Sequence, residues 1–255
     1  DMMLALHARR SHDSIRRFAE TCPQHPLILV LTGTDLYRDI RHDSSAQTSM
    51  HLATRMIVLQ EMGLNELTEA LRIKTRVIYQ SVASTKPRPR LKRLFQIAVI
   101  GHLREEKDPF RCAYALPYLP TKSRIRVIQM GGALEPALAE QAEALAQQDS
   151  RYHWLGELPH WRTMQKLAQS HLMIISSRME GGANVICEAV AAGVPVIASD
   201  ISGNIGMLGK DYAGYYPLGN ESLLAERISR AMCDENYYRK LLAQCQARHY
   251  LFDPE

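Results

Sequence analysis

Along most of the chain, short apolar runs alternate with polar stretches in which apolar residues recur at helical spacing. MMLALHA from Met2, LILVLTGTD from Leu27, RMIVLQ from Arg55 and RVIYQSV from Arg76 have the length and content of buried strands. Residues 11–20 place Ile15, Phe18 and Ala19 on one helical face, with Ser11 or Asp13 as the cap, and EMGLNELTEAL from Glu61 reads as a further helix. The chain opens inside its first strand pattern with no cap or turn ahead of it. A truncated N-terminal domain is therefore expected.

Residues 84–92, STKPRPRLK, are proline-rich, basic and without periodicity, which predicts a domain boundary and two domains, residues 1–88 and 89–255. Regular alternation then resumes: LFQIAVIG is a strand, a charged loop leads to a helix through Tyr118, RIRVIQMGG is a strand and EPALAEQAEALAQQ a helix. RYHWLG is a short strand and PHWRTMQKLAQS a helix, HLMII and VPVIAS are buried strands, and the tail ends in helices. Strand–helix alternation of this regularity predicts an α/β chain with parallel sheets covered on both faces.

The candidate chemistry concentrates in residues 176–200, SSRMEGGANVICEAVAAGVPVIASD. A strand stops at two serines, and a helix opens after Gly181 and Gly182 and ends at Gly193. The loop between them is where an α/β sheet binds an anion, because the first N–H groups of a helix are unpaired. Glu180 lies in that loop, and Glu188 follows in the helix, within reach of the same crevice. Two acids beside an anion-binding helix end point to a ligand carrying phosphate and hydroxyls, such as a sugar nucleotide. On spacing alone, solvated glutamates on an ordinary βαβ unit fit equally well.

A second segment, Gly101-His-Leu-Arg-Glu-Glu-Lys-Asp-Pro109, follows a strand and puts Arg104 and Lys107 where a diphosphate would be neutralised, although a self-paired surface cluster has the same appearance. Gly131 and Gly132 end the next strand and either admit close backbone approach or only turn the chain. His7 and Arg9 follow the first strand, and Thr34 and Asp35 the second. These four are candidates for an acceptor site, against the ordinary alternative of a structural histidine. Trp154 and Trp161 read as packing residues.

Composition narrows the field. An apolar fraction of 46% and a charged fraction of 23% are those of a globular protein, and a net charge of +4 without a basic–aromatic stripe gives no reason to invoke nucleic acid. Five cysteines without a C-x-x-C pair argue against a disulfide framework or zinc site and fit a reducing cytoplasm. No apolar run is long enough to span a bilayer, and no H-E-x-x-H, Asp-x-Asp or G-x-G-x-x-G pattern suggests a catalytic metal or a nicotinamide cofactor. Nothing in the pattern sets an oligomeric state.

Glu180 to Glu188, set between Ser-Ser and AVAAGVPVIASD, resembles the E-x7-E motif of retaining glycosyltransferases of the GT-B fold, in which two Rossmann-like domains face a cleft. The resemblance implies that Glu180 lies by the donor sugar, that Glu188 holds the ribose hydroxyls, and that the backbone of Gly181, Gly182, Ala183 and Asn184 receives the diphosphate. The family pattern G-R-L-x-x-x-K corresponds to Gly101 through Lys107. This chain has His102 in place of the arginine, so Arg104 becomes the alternative source of charge.

LALHARRSHDSI, LVLTGTDLYRDI, GHLREEKDP, SRMEGGANVICEA and SDISGNIGMLG are further similar to the selenosugar synthases of selenoneine biosynthesis, the SenB group. That resemblance implies transfer of N-acetylglucosamine from a UDP donor to selenophosphate, without a metal or other cofactor. A conventional retaining transferase acting on a sugar or lipid hydroxyl, and a nucleotide-sugar-binding protein without turnover, are the alternatives.

Overall fold

Two all-parallel sheets carry the apolar runs, one of four strands in the order β1-β2-β3-β4 and one of six in the order β10-β9-β8-β5-β6-β7. They belong to two units of a computed structural model that describes residues 1–83 and 88–254. Of the proline-rich stretch, residues 84–87 lie outside the described residues.

Unit 1 comprises Asp1–Gln80, Met179–Ala183 and Ser202–Gly209. Its sheet is formed by β1 (Met3–Leu6), β2 (Leu27–Leu31), β3 (Arg55–Val58) and β4 (Thr75–Val77). Leu29, Leu31, Leu36, Met56 and Val58 are fully buried, each side chain contributing about 1.5–3 kcal/mol relative to exposure. Within β1, Ala5 faces the core of the sheet, and Leu4 and Leu6 are each 59% exposed. Helix α1 (His12–Thr21) buries Ile15 as its periodicity requires, but Ser11 donates its hydroxyl to Leu6 O and caps nothing.

After β2 the chain makes a π-helical turn, Asp35–Asp39, then α2 (Ile40–His42) and α3 (Ser44–Leu52), whose true cap is Asp43, accepting from Ala46 N. The helix expected from Glu61 is broken. A 3₁₀ segment, Glu61–Glu66, precedes an extended Leu67, and only α4 (Glu69–Arg72) is α-helical. Gly63 packs tightly enough on Val58 and Leu36 that a Cβ there would lie 3.1 Å from each. Close packing of this turn, a tertiary effect, overrides the helical propensity of the segment.

Unit 2 comprises Ser81–Arg178, Asn184–Ile201 and Lys210–Glu255, of which Glu255 is not described. In chain order it runs β5 (Phe95–Ile100), α5 (Arg111–Ala115), β6 (Ile125–Met130), α6 (Pro136–Gln148), β7 (Tyr152–Trp154), α7 (His160–Ala168) and β8 (Leu172–Ile175). It continues with α8 (Asn184–Ala191), β9 (Val196–Ser199), β10 (Tyr215–Tyr216), α10 (Glu221–Cys233) and α11 (Glu235–Gln246). Helix α9 (Ser202–Leu208), which the sequence pattern did not predict, lies in unit 1. The six-strand order reverses direction between β5 and β8, and in a doubly wound sheet the crevice beyond such a reversal, at the carboxyl ends of the strands, is where ligands bind. Among the described residues no helix is long and apolar enough to cross a membrane.

Trp154 packs as expected, against the cluster of Leu103, Phe110 and Ala142, and donates its Nε1–H to Gly131 O at 2.9 Å. Trp161 does not: it is 63% exposed, with the Arg162 guanidinium over its ring.

Candidate functional site

In unit 2 the loops beyond β5, β6 and β8 are stitched together at the switch point. Gly101 (φ 149°) and Gly131 (φ 145°) approach so closely that a Cβ on residue 131 would stand 2.0 Å from Gly101 O. Leu103 N donates to Gly132 O, and Leu103 bridges to Ala133. Of the two readings of Gly131, close backbone approach is the one realised. Ser176 Oγ donates to Asp108 O at 2.8 Å, Arg178 N to Glu106 O, and Ser199 Oγ to Ser177 O. Ser176 and the Arg178 backbone thus hold the charged loop in place.

Within that loop Asp108 takes a left-handed conformation (φ 43°) and receives Arg111 Nε at 2.9 Å. The Lys107 side chain lies along Gly101, with Cδ 3.8 Å from where a Cβ would be, and Arg104 is exposed on an extended backbone.

These loops open on a pocket of about 460 Å³ lined by Gly101, His102, Met130, Gly131, Glu157, His160, Asn184 and Glu188, among others. Asn184 begins α8, so the unpaired N–H groups of its first turn belong to this end of the unit. Glu188, one turn later, is 7% exposed, and its Oε1 accepts from Asn184 Nδ2 at 3.0 Å and pairs with His160 Nε2 at 2.8 Å. Gly101, His102, Asn184 and Glu188 come together in one pocket. His160 and Glu157 were missed. The signal for His160 was its position at the first turn of a helix that follows a short strand. Burial pushes the Cys187 thiol up to about 12, so the cysteine beside Glu188 is no thiolate at neutral pH. Among the described residues no group of three or more His, Cys, Asp or Glu side chains is placed to hold a metal ion.

The stretch from Ser176 to Asp200, read from sequence as lying wholly in the second domain, is divided between the units. Met179–Ala183 packs in unit 1. The cause is a set of glycines: a Cβ would lie 1.7 Å from Thr32 O at Gly181, 2.5 Å from Leu59 Cβ at Gly182, and 1.9 Å from Glu180 O at Gly203. Glu180, 8% exposed, is held by this backbone packing, and Ala183 is buried.

In the same unit, the loops after β1 and β2 gather the four acceptor-side candidates. His7 (φ 70°) is 6% exposed, with Nε2 3.0 Å from Thr34 Oγ1 and Nδ1 accepting from Arg10 N. Asp35 is fully buried and receives Ala8 N, Thr32 N and Thr32 Oγ1, each at 2.9 Å, so it organises the two loops from within. Arg9 Nε binds Asp39 Oδ2 at 2.8 Å. Burial works to raise the Asp39 carboxyl, but hydrogen bonds from Arg9 and Arg38, with the charge of both, hold it below the usual carboxylate range. The Thr32–Gly33 backbone against which Gly181 packs belongs to this loop pair.

Residues 83–248 match the family described as glycosyl transferases group 1. A search of curated proteins finds no match. Among solved structures, the chain is similar to HepE of Anabaena in complex with UDP and glucose: TM-score 0.80, 19% identity, covering 99% of this chain and 74% of that one. It is similar to sucrose-phosphate synthase of Thermosynechococcus elongatus, with TM-score 0.79, 18% identity and coverage of 99% and 69%. It is also similar to TarM of S. aureus, solved in a complex that includes UDP, with TM-score 0.76, 15% identity and coverage of 97% and 51%.

Proposed function

The chain belongs to the glycosyl transferases group 1 family and has an α/β fold of the GT-B class, and on that premise we propose that it transfers N-acetylglucosamine from UDP-N-acetylglucosamine to selenophosphate, giving a 1-selenosugar. The observation that carries the donor half of this reading is the unit 2 pocket, where glycine-lined loops, a helix N-terminus and a buried, doubly anchored carboxylate converge. UDP as the leaving group is supported by the UDP present in the complexes of HepE and TarM.

In this reading Glu188 receives the ribose hydroxyls. Arg104, Lys107 and the backbone of residues 182–184 stabilise the negative charge that develops on UDP. Glu180 positions and polarises the donor sugar. Selenium attacks the anomeric carbon from the leaving-group face, the C–O electron pair departs with UDP, and water removes the phosphoryl group as phosphate. Selenophosphate is an anionic nucleophile at neutral pH and calls for no strong general base. The basic side chains Arg9 and Arg10, with His7 and Thr34 on the loops organised by Asp35, suit an anionic acceptor. The reaction as proposed uses no metal or other cofactor and takes place in the cytoplasm.

Transfer to a sugar hydroxyl is the second reading, favoured by the likeness to sucrose-phosphate synthase. The test is UDP release from UDP-N-acetylglucosamine with selenophosphate, thiophosphate, phosphate or a sugar as acceptor, with products identified by mass spectrometry. Release with selenophosphate and a product carrying a C–Se bond is expected. Release only with the sugar transfers the conclusion to the second reading, and UDP binding without turnover on any acceptor makes the chain a binding protein.

A further inference from the structure

The most exposed side chain bonded to Glu188 is that of His160, 75% exposed, and Glu188 is the partner to which its ring is bonded, Nε2 to Oε1 at 2.8 Å. We propose that His160 is a positioning residue that holds Glu188 in the orientation that receives the ribose, so that preference for a ribonucleotide depends on this histidine. The inference rests on the reading of Glu188 as the ribose-binding acid.

A glutamate carboxylate turns about a soft, roughly two-fold terminal torsion, and its two oxygens are interchangeable until donors distinguish them. Here both donors converge on Oε1: the Asn184 amide from one turn earlier on α8, and the His160 ring from the start of α7. Oε2 is then the oxygen presented for a ligand. Asn184 alone, on the same helix, leaves the carboxylate free to rotate about that single contact. The second donor, coming from a separate helix, removes this freedom. His160 and Glu188 both line the pocket, so the pair is formed where a ligand would meet it. The exposure of His160 leaves it little part in the core, and its replacement tests the contact rather than the fold.

The experiment measures affinity for UDP and for 2′,3′-dideoxyuridine diphosphate by calorimetry, on wild type, His160→Ala and His160→Gln. Wild type is expected to prefer UDP. His160→Ala should weaken UDP binding about tenfold, the worth of one hydrogen bond to a charged group, while the dideoxy compound changes by less than about threefold, and His160→Gln, which keeps an N–H donor, should restore the preference. Equal loss on both ligands, no loss on either, or failure of glutamine to restore the preference overturns the role of His160 while leaving that of Glu188 intact. A wild type that binds both ligands equally overturns the ribose reading of Glu188, and the proposal with it.

Discussion

Gly101 and Gly131 meet at the ends of adjacent parallel strands, in a contact that leaves no room for a side chain on residue 131. Gly131→Ala would put a methyl group 2.0 Å from Gly101 O, at a φ of 145° that L-residues avoid. Loss of about 2 kcal/mol or more of stability is expected, together with loss of UDP binding, since His102 and Gly101 must move. Gly156 provides the comparison: φ is 65°, but a Cβ there would meet no atom within 4 Å, so Gly156→Ala should cost only about 1 kcal/mol. Thermal melts and UDP calorimetry on both variants decide this.

Glu180 and Glu188 should separate in kinetics. Glu180→Gln is expected to lower kcat about a hundredfold with a small effect on UDP affinity. Glu188→Ala should weaken UDP binding about ten- to a hundredfold, as the loss of charged hydrogen bonds predicts. Unchanged UDP affinity in Glu188→Ala would remove the donor assignment, and full turnover in Glu180→Gln would remove the role given to that acid.

Acid should loosen unit 2 above the range where carboxylates titrate. His171 stacks on Phe95 and accepts from Gln96 N, and burial, followed by the charge of Arg90, lowers its pKa below 6.5. His153 is lowered in the same direction, by burial and then Arg126. A base with a depressed folded pKa binds its proton more readily when unfolded, so its contribution to stability is present above about pH 6.5 and lost as the pH falls below it. Melting temperature should therefore decline from pH 6.5 toward 5, less steeply in His171→Gln, which keeps an acceptor but does not titrate. An unchanged slope in that variant would refute the assignment.

Arg151 ties together a stretch of unit 2 remote from the pocket. It binds both oxygens of Asp149 and the carbonyls of Leu116 and Pro120. Arg151→Met should destabilise by about 2–3 kcal/mol, below the range for a fully buried pair because Asp149 is partly exposed. The hydrogen bond from Arg151 is the main cause of the lowered Asp149 pKa. The stability it adds is present above the ordinary carboxylate range and lost as the pH falls through the folded value, so the variant should differ least from wild type in strong acid. Denaturant titrations at neutral and acid pH check both statements.

Strand and helix alternation, the parallel sheets and the glycine-opened helix at Asn184 were all legible in the sequence, because each follows from local periodicity and from the rule that parallel strands present their carboxyl ends together. The broken helix after Glu61 and the π-helical turn at Asp35 were not. Each is decided by neighbours distant along the chain: Leu36 and Val58 against Gly63, and the donors Ala8 and Thr32 converging on Asp35.

By itself, then, the sequence determined the fold class and marked the two acids as candidates, since strand length, glycine placement and residue chemistry are local properties. Only the tertiary structure decided which unit holds each acid and what surrounds it. Glu180 follows its backbone into unit 1 because glycines at 181, 182 and 203 permit contacts that any side chain would forbid, and Glu188 gains His160, 28 residues earlier, because the first turn of α7 meets the second turn of α8 within unit 2. Spacing along a chain carries no record of either approach, because both depend on which surfaces meet once the sheets have formed.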